Sequence, residues 1–182
     1  RTYVESQRNQ VLKYSIGKSS GVFIGEDSVV KIFNIRGKTI KAARGSYKLC
    51  WLREKTCLER LAGKLHFPQL LEAYEEHLGL RITACGESLF DTWQEHKLDN
   101  YIDQAHAIAD ALEEAQIQYF YPGMDPNSKN KQYIKFPLSN FCIDDGELSL
   151  IDFELANPVD SSAEKQMSKR LRFLYDNYNT EH

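Results

Sequence analysis

The sequence contains few cysteines, little excess charge and no long apolar run. Its four cysteines form no C-x-x-C pair and have no nearby histidine at zinc-site spacing, so we expect no structural zinc. Their apolar surroundings favour reduced core thiols, and hence a cytoplasmic protein. A net charge of −3 gives no general attraction to nucleic acid or to an anionic membrane. No apolar stretch approaches the roughly 20 residues of a membrane-spanning helix, so we expect no membrane span.

The length and composition are those of an ordinary globular protein. The chain has 182 residues, of which 42% are hydrophobic and 27% are charged. A chain of this size can bury a sizeable core, and it should form one domain or two lobes that share a cleft.

The first third of the chain predicts a small antiparallel sheet. Runs of β-type residues at 11–16, 22–24 and 28–33 are separated by turn residues, which is typical of a meander. The first turn is rich in residues whose backbone N–H groups can approach a phosphate closely, namely Gly17, Ser19, Ser20 and Gly21. It lacks the spacing of a Walker A loop, and a plain hairpin turn is an equal alternative.

Lys31 interrupts the third of these apolar runs. Alternation along a strand places it on one face with Val29 and Phe33, where an unpaired ammonium is costly to bury. An edge-strand lysine that faces solvent is one interpretation, and a lysine with a functional partner is the other.

Two helices are predicted downstream. Apolar residues recur with a helical period over 50–65, where Glu54 lies three positions before Cys57, and we expect Pro68 to end this helix. A β-type run at 78–84 leads to Gly86, and a short helix with a loop is expected over 90–101. Residues 103–118 have the clearest helical period in the chain.

A tight hairpin is predicted near residue 145. Two short apolar runs, 141–143 and 148–151, flank an Asp-Asp-Gly turn, and Asp-Gly between such runs is a strong hairpin signal. Pairing of the strands brings Asn140 and Asp152 side by side at the open end. Hard oxygen ligands of this kind suit Mg²⁺. The alternative is a surface hairpin whose end residues cap neighbouring backbone.

Residues 140–154, which end in Ile-Asp-Phe-Glu, resemble the metal-binding end of the protein-kinase-like fold. Asp152-Phe153-Glu154 stands where protein kinases have Asp-Phe-Gly, and the Asp-Phe-Glu form is more similar to bacterial lipopolysaccharide kinases and aminoglycoside phosphotransferases. The resemblance covers roughly residues 11 to 156. It implies an α+β, two-lobed fold with a small antiparallel β N-lobe that includes one helix, over 1–84, and a truncated, mainly helical C-lobe over 85–182.

The resemblance also implies a site that binds ATP and Mg²⁺. Lys31 would hold the ATP phosphates and pair with Glu54, with Glu59 as the second choice of partner, while the Gly/Ser turn would cover the phosphates. Asn140 and Asp152 would hold Mg²⁺. The adenine would meet a hinge with Leu80 at the gatekeeper place, and the residues implied around it are Val29, Leu80, Arg81, Thr83 and Cys142.

The resemblance fails at the catalytic loop. Kinases place an aspartate five residues before the metal-binding asparagine, and Lys135 occupies that position here. Asp125 could fold back to the place of the aspartate if the polar residues 127–131 are an insertion. Lys135 could instead neutralise phosphate charge, or this loop could have no catalytic role.

These features predict a minimal phosphotransferase with an unknown small-molecule or protein acceptor. A sugar, a lipid or a small metabolite is the expected kind of acceptor, because the elements with which eukaryotic kinases dock proteins are absent. Two alternatives are a pseudokinase that binds nucleotide as a regulator or scaffold, and a nucleotidyltransferase.

Overall fold

The structure, a computed structural model, describes residues 13–16, 20–33, 47–92, 96, 98–119 and 139–158. Within these ranges the chain forms ten strands and two α-helices, which is an α+β fold, as the sequence predicted. The strands are β1 (Lys13–Ile16), β2 (Ser20–Ile24), β3 (Ser28–Phe33), β4 (Leu70–Tyr74), β5 (Gly79–Thr83), β6 (Glu87–Ser88), β7 (Ile117–Gln118), β8 (Phe141–Asp144), β9 (Glu147–Leu150) and β10 (Asn157–Pro158). The helices are α1 (Tyr47–Arg60) and α2 (Ile102–Glu114).

The first five strands form one antiparallel sheet in the order β1-β2-β3-β5-β4. Strands β1 to β3 are the meander that the sequence predicted. On β3 the side chains of Lys31 and Phe33 are both buried, so the face that carries them looks into the protein. Helix α1 packs against this sheet, and the Trp51 indole N–H donates a hydrogen bond of 3.0 Å to the carbonyl of Gly79 on β5.

Helix α1 is shorter at its C-terminal end than the sequence predicted. It ends at Arg60 rather than near Leu65, and Pro68 does not end it. The physical reason is a turn over 61–63 in which Gly63 takes a φ of +75°, a conformation that glycine adopts without strain. Leu65 lies beyond this turn and is 73% exposed, so it does not belong to the apolar face of the helix.

The chain passes from the first sheet to a second one through residues 84–86, next to the boundary predicted between the lobes. The second sheet has the order β6-β8-β9. Gly86 is essential to this passage: its φ is +78°, and a Cβ atom there would lie 2.1 Å from the carbonyl oxygen of Ile143. The backbone of residue 86 therefore lies so close to that of Ile143 that only glycine fits there.

Strands β8 and β9 are the predicted hairpin. Their turn residues, Asp145 and Gly146, have φ values of 46° and 82°, and two consecutive positive values are what a tight two-residue hairpin turn requires. Helix α2 anchors the turn through Gln104, whose side-chain amide donates to the carbonyl of Gly146 at 2.9 Å and accepts from the N–H of Leu148 at 2.8 Å.

Helix α2 also ends earlier than predicted. It runs to Glu114, and the expected continuation to 118 is wrong because Gln116 has a φ of 54° and the next two residues form β7. Strand β7 pairs with β10, about 40 positions later in the chain. The helix expected within 90–101 is a single 3-10 turn over Leu98–Tyr101 in the part that the structure describes.

One hydrophobic cluster joins the sheets and helices. Its fully buried side chains come from the two larger sheets, the β7–β10 pair and both helices, and they include Phe33, Leu58, Leu61, Leu80, Ile108, Ile117, Phe141, Leu148, Leu150 and Phe153. The segment between α1 and β4 is tied to β9, because Leu150 N–H donates to the His66 carbonyl at 2.9 Å. Within the described residues, no helix is both long enough and apolar enough to cross a lipid bilayer.

Candidate functional site

Lys31 lies at the centre of the candidate site. It stands in the middle of β3, between Val22 of β2 and Leu80 of β5, and it is only 7% exposed. Its ammonium lies 2.6 Å from Oε2 of Glu54 and 2.7 Å from Oδ1 of Asp152. The ring of Phe33 lies below it, at 5.2 Å from the ammonium to the ring centroid. The solvent-facing alternative for Lys31 is therefore excluded.

Glu54 is the first of the two glutamates predicted as the partner of Lys31, and it is the one in contact with it. It is buried on the face of α1 that meets the sheet, and it is 2% exposed. Glu59, the second choice, is exposed and pairs instead with Lys55 at 2.6 Å along the same helix. The helix thus places one glutamate in the interior and the other on the surface, as the spacing of its apolar residues requires.

Asp152 reaches Lys31 from the end of the hairpin. Its backbone has a φ of 67°, a left-handed conformation that aspartate tolerates better than most residues. About a third of its side chain is exposed, at 36%, so this carboxylate faces both the buried ammonium and the solvent. Phe153 follows it directly and is fully buried, with its ring 5.4 Å from that of Tyr119 and 6.2 Å from that of Phe67.

The charges at the site are unequal. Burial by itself lowers the pKa of Lys31, but the carboxylates of Asp152, Glu54 and Glu154 outweigh it and hold this pKa above its usual range. Burial raises the pKa of Glu54 to about 7, and Asp152 and Glu154 act in the same direction against the opposing effect of Lys31. The carboxyl groups of Glu54 and Asp152 thus share one ammonium, and these three groups have an excess of negative charge when both carboxyls are ionised.

Asn140 lies at the open end of the hairpin, opposite Ile151. The carbonyl of Asn140 accepts a hydrogen bond of 2.8 Å from the N–H of Ile151, which directly precedes Asp152. The Asn140 side chain is buried. Its Nδ2 donates to the hydroxyl of Tyr119 at 2.7 Å, and its Oδ1 accepts from the hydroxyl of Ser139 at 3.3 Å.

The donor set of this site fits Mg²⁺. Asn140 and Asp152 would offer hard oxygen ligands near the open end of the hairpin, and the two carboxylates beside Lys31 favour a cation. Among the described residues, no group of three or more histidine, cysteine, aspartate or glutamate side chains is placed to hold a metal. Mg²⁺ does not require such a group, since one or two protein ligands commonly suffice when substrate phosphates and water complete its shell.

The residues predicted around the adenine lie on β3, β5 and β8. Val29 packs at the edge of the core opposite Ile82, and Leu80 is fully buried beside Lys31. Cys142 is also buried, and burial raises the pKa of its thiol to about 12. Their roles towards a nucleotide stay predictions.

Arg81 and Thr83 have other partners within the sheet. Arg81 lies between neighbouring strands on both sides, and its guanidinium pairs with Glu72 at 3.0 Å. The N–H of Thr83 donates to the carbonyl of Gln69 at 3.0 Å, while its hydroxyl accepts from the N–H of Gln69 at 2.9 Å. The role of these two residues in adenine recognition stays a prediction. Their bonds within the sheet leave few backbone groups with which they could bind an adenine.

Two residues predicted in the phosphate turn belong to a strand instead, because they pair with β3. Ser20 begins β2 and is buried, and Gly21 pairs with Ile32. The remaining predicted positions of the phosphate turn and the catalytic loop lie outside the described residues, namely Gly17, Ser19, Asp125 and Lys135.

Two residues of the site were missed by sequence reasoning. Glu154 is buried close enough to act on the pKa of both Lys31 and Glu54. Tyr119 contacts Asn140, and its hydroxyl also donates to the carbonyl of Ile151 at 2.7 Å. The position of Glu154 within Asp-Phe-Glu was a usable signal. Tyr119 had none, because its partners lie 21 and 32 positions away.

Comparison with solved structures assigns the fold. The structure of WbdD with the kinase inhibitor LY294002 is similar with a TM-score of 0.61 and 16% identity, over 93% of this chain and 45% of that one. Another structure, described as the bifunctional kinase-methyltransferase WbdD, has a TM-score of 0.55 and 16% identity, over 89% of this chain and 43% of that one. The Rio2 kinase complex with ADP, Mg²⁺ and phosphoaspartate from Chaetomium thermophilum has a TM-score of 0.55 and 12% identity, over 98% of this chain and 58% of that one.

The chain therefore has a protein-kinase-like fold, and it spans about half the length of these structures. No protein-family model and no curated protein sequence matches it.

Proposed function

We propose, from its protein-kinase-like fold and the charges of its central site, that this chain is an ATP-dependent phosphotransferase that uses Mg²⁺. The observation that carries the proposal is the position of Lys31. Its ammonium lies within 2.7 Å of a carboxylate from helix α1 and of a second carboxylate from the end of the hairpin. A surface lysine would need neither partner, and a structural ion pair would need only one.

The nucleotide half of the reaction follows from these side chains. Lys31 keeps its positive charge, because the surrounding carboxylates raise its pKa, so it is suited to hold phosphate oxygens. Glu54 fixes the ammonium on the inner face of the sheet. Asn140 and Asp152 would hold Mg²⁺, which neutralises phosphate charge when it is bound. Phosphoryl transfer depends mainly on such positioning and charge neutralisation.

The proposal for the acceptor side of the reaction is based on the sequence alone. We propose that Asp125 orients the hydroxyl of the acceptor and that Lys135 neutralises phosphate charge, and we assign the acceptor to the class of small hydroxyl-bearing molecules such as a sugar, a lipid or a metabolite. A protein acceptor is the second choice. The absence of a general positive charge supports a small acceptor over nucleic acid. The four free cysteines support the cytoplasmic setting that the sequence predicted.

The proposal is tested by following the phosphates of ATP. The full chain is incubated with Mg²⁺ and ATP that carries its label on either the γ- or the α-phosphate, and ADP release and labelled products are measured with and without candidate acceptors. We expect ADP and transfer of the γ-label. Lys31→Met and Asp152→Asn should abolish both, whereas Lys55→Met should not, since Lys55 has an equally short contact with a glutamate but lies on the surface.

Two outcomes would overturn the proposal. Transfer of the α-label with release of pyrophosphate would identify a nucleotidyltransferase. Tight binding of ATP with no release of ADP, even with a wide set of acceptors, would identify a pseudokinase that acts as a regulator or scaffold.

A further inference from the structure

Tyr119 contacts three parts of the candidate metal site. Its hydroxyl lies 2.7 Å from Nδ2 of Asn140 and 2.7 Å from the carbonyl oxygen of Ile151, which directly precedes Asp152. Its ring stands nearly perpendicular to that of Phe153, at an interplanar angle of 77°. One side chain thus touches one proposed metal ligand and both neighbours of the other.

The pairing of β7 with β10 holds Tyr119 in this place. Tyr119 follows β7 directly, and Pro158 of β10 pairs with Ile117 only six positions after Asp152. Tyr119 and the segment 151–153, which contains the proposed metal ligand Asp152, are therefore both close in sequence to the same short pair of strands. This arrangement explains how a residue far away in the sequence reaches both Asn140 and Ile151.

The hydrogen bonds of Tyr119 determine which way the Asn140 amide faces. A tyrosine hydroxyl has one hydrogen to donate, and the carbonyl of Ile151 can only accept, so that hydrogen is committed to Ile151. The hydroxyl oxygen can then only accept from Asn140. The group of Asn140 that faces Tyr119 must be its NH₂, and Oδ1 therefore points away from the tyrosine, towards Ser139.

We propose that Tyr119 is a positioning residue that orients the Asn140 amide so that its oxygen, and not its NH₂ group, is presented to Mg²⁺. The inference rests on the proposed function and extends it to a residue that does not itself contact the metal. Without the hydroxyl, the amide loses the acceptor that holds its nitrogen, and it can rotate to present NH₂ to the cation. An NH₂ group cannot ligate Mg²⁺, whereas the aromatic packing on Phe153 does not depend on the hydroxyl.

The experiment measures how strongly metal and nucleotide binding are coupled. The Kd of the full chain for a non-hydrolysable ATP analogue is measured by calorimetry or fluorescence, once with saturating Mg²⁺ and once in EDTA, and the ratio of the EDTA value to the Mg²⁺ value is the readout. Tyr119→Phe should lower this ratio about ten-fold, because the loss of a group that orients a metal ligand typically weakens metal affinity by that order. The Kd in EDTA should stay unchanged. A merely structural defect would instead weaken binding under both conditions.

A control and a rescue variant sharpen the test. Tyr101→Phe also removes a tyrosine hydroxyl, one that is bonded to His96 at 2.9 Å rather than to a residue of the site, and it should leave the ratio unchanged. In Asn140→Asp both outer atoms of the side chain are oxygens, so its orientation no longer matters. Adding Tyr119→Phe to Asn140→Asp should therefore not lower the ratio further.

The outcomes separate this inference from the proposed function. A wild-type ratio near one would overturn the proposed Mg²⁺-dependent site, and the inference with it. A high wild-type ratio that Tyr119→Phe leaves unchanged would overturn the role of Tyr119 alone. An equal loss from Tyr119→Phe in the wild-type and Asn140→Asp backgrounds would also overturn it, because orientation of an amide would not then be the cause.

Discussion

The ammonium of Lys31 lies 2.7 Å from Oδ1 of Asp152, although the two residues are 121 positions apart in the sequence. This contact joins the five-stranded sheet to the end of the β8–β9 hairpin. The same ammonium also holds Glu54 of helix α1. A phosphate group at this place would compete with two carboxylates for one lysine, and a divalent cation would relieve the excess of negative charge that they create.

The stability of the protein should depend on the protonation of Glu54. The pKa of Glu54 is raised to about 7 from an ordinary value of 4.5, chiefly by burial. The folded chain holds the proton of Glu54 more tightly than the unfolded chain does. Protonation of Glu54 therefore stabilises the fold, and this stabilisation is fully present below pH 4.5 and is lost as the pH rises through 7. We therefore expect the melting temperature of Glu54→Gln to fall less between about pH 5 and pH 7.5 than that of the wild type.

The control for this prediction is Glu59→Gln. Glu59 lies on the same helix and also has a lysine partner, but it is exposed, so its removal should leave the pH dependence as in the wild type. A Glu54→Gln variant with the same or a steeper fall than the wild type would contradict the assignment of a raised pKa to Glu54.

Replacement of Gly86 should destabilise the passage between the two sheets. In Gly86→Ala the new Cβ would lie 2.1 Å from the carbonyl oxygen of Ile143 and 2.7 Å from Cβ of Asp144. Forcing an atom into such a space typically costs about 1–3 kcal/mol, in addition to the strain of a positive φ. The measurement is the free energy of unfolding in urea.

Gly63→Ala provides the matched comparison for Gly86→Ala. Gly63 has nearly the same φ, +75°, but nothing lies within 4 Å of a Cβ added there, so it measures the backbone strain without the collision. We expect Gly86→Ala to be the more destabilising variant by at least about 1 kcal/mol. Equal losses would show that no close approach exists between residues 86 and 143.

The cysteines should react slowly in the folded protein. Burial raises the pKa of Cys57 and of Cys142 to about 12, and that of Cys85 is raised as well, so little thiolate is present at about pH 8. Cys85 is the least buried of the four and should react first with a thiol reagent, whereas all four should react after unfolding without a reductant. Fewer than four reactive thiols in denaturant would reveal a disulfide, and fast labelling of Cys142 would contradict its burial.

Local patterns were enough to predict the elements that local chemistry fixes. Asp145 and Gly146 can both take positive φ, and the apolar runs on either side pair across them, so the hairpin followed from one short stretch of sequence. The pairing of Lys31 with Glu54 came from the resemblance to kinases, and the alternation of β3 supported it. Burial of an ammonium next to Phe33 requires such a partner.

The errors arose where distant residues decide the structure. Ile117 and Gln118 continue the helical period of α2, yet they form a strand because Asn157 and Pro158 pair with them. Tyr119 was missed for the same reason, since its hydrogen-bond partners lie 21 and 32 positions away. The end of helix α1 is an exception with a local cause, because a turn that contains Gly63, and not the proline further on, follows Arg60.

The most direct test of the central claim is a thermal-shift titration with ATP, with and without Mg²⁺. Ligand at about 100 times its Kd should stabilise the fold by about 2.7 kcal/mol, which raises the melting temperature by roughly 5–10 °C in a protein of this size. We expect a Mg²⁺-dependent shift in the wild type and in Lys55→Met, and its loss in Lys31→Met and in Asp152→Ala. The absence of a shift in the wild type, or an equal shift in all four proteins, would contradict a nucleotide site built on Lys31 and Asp152.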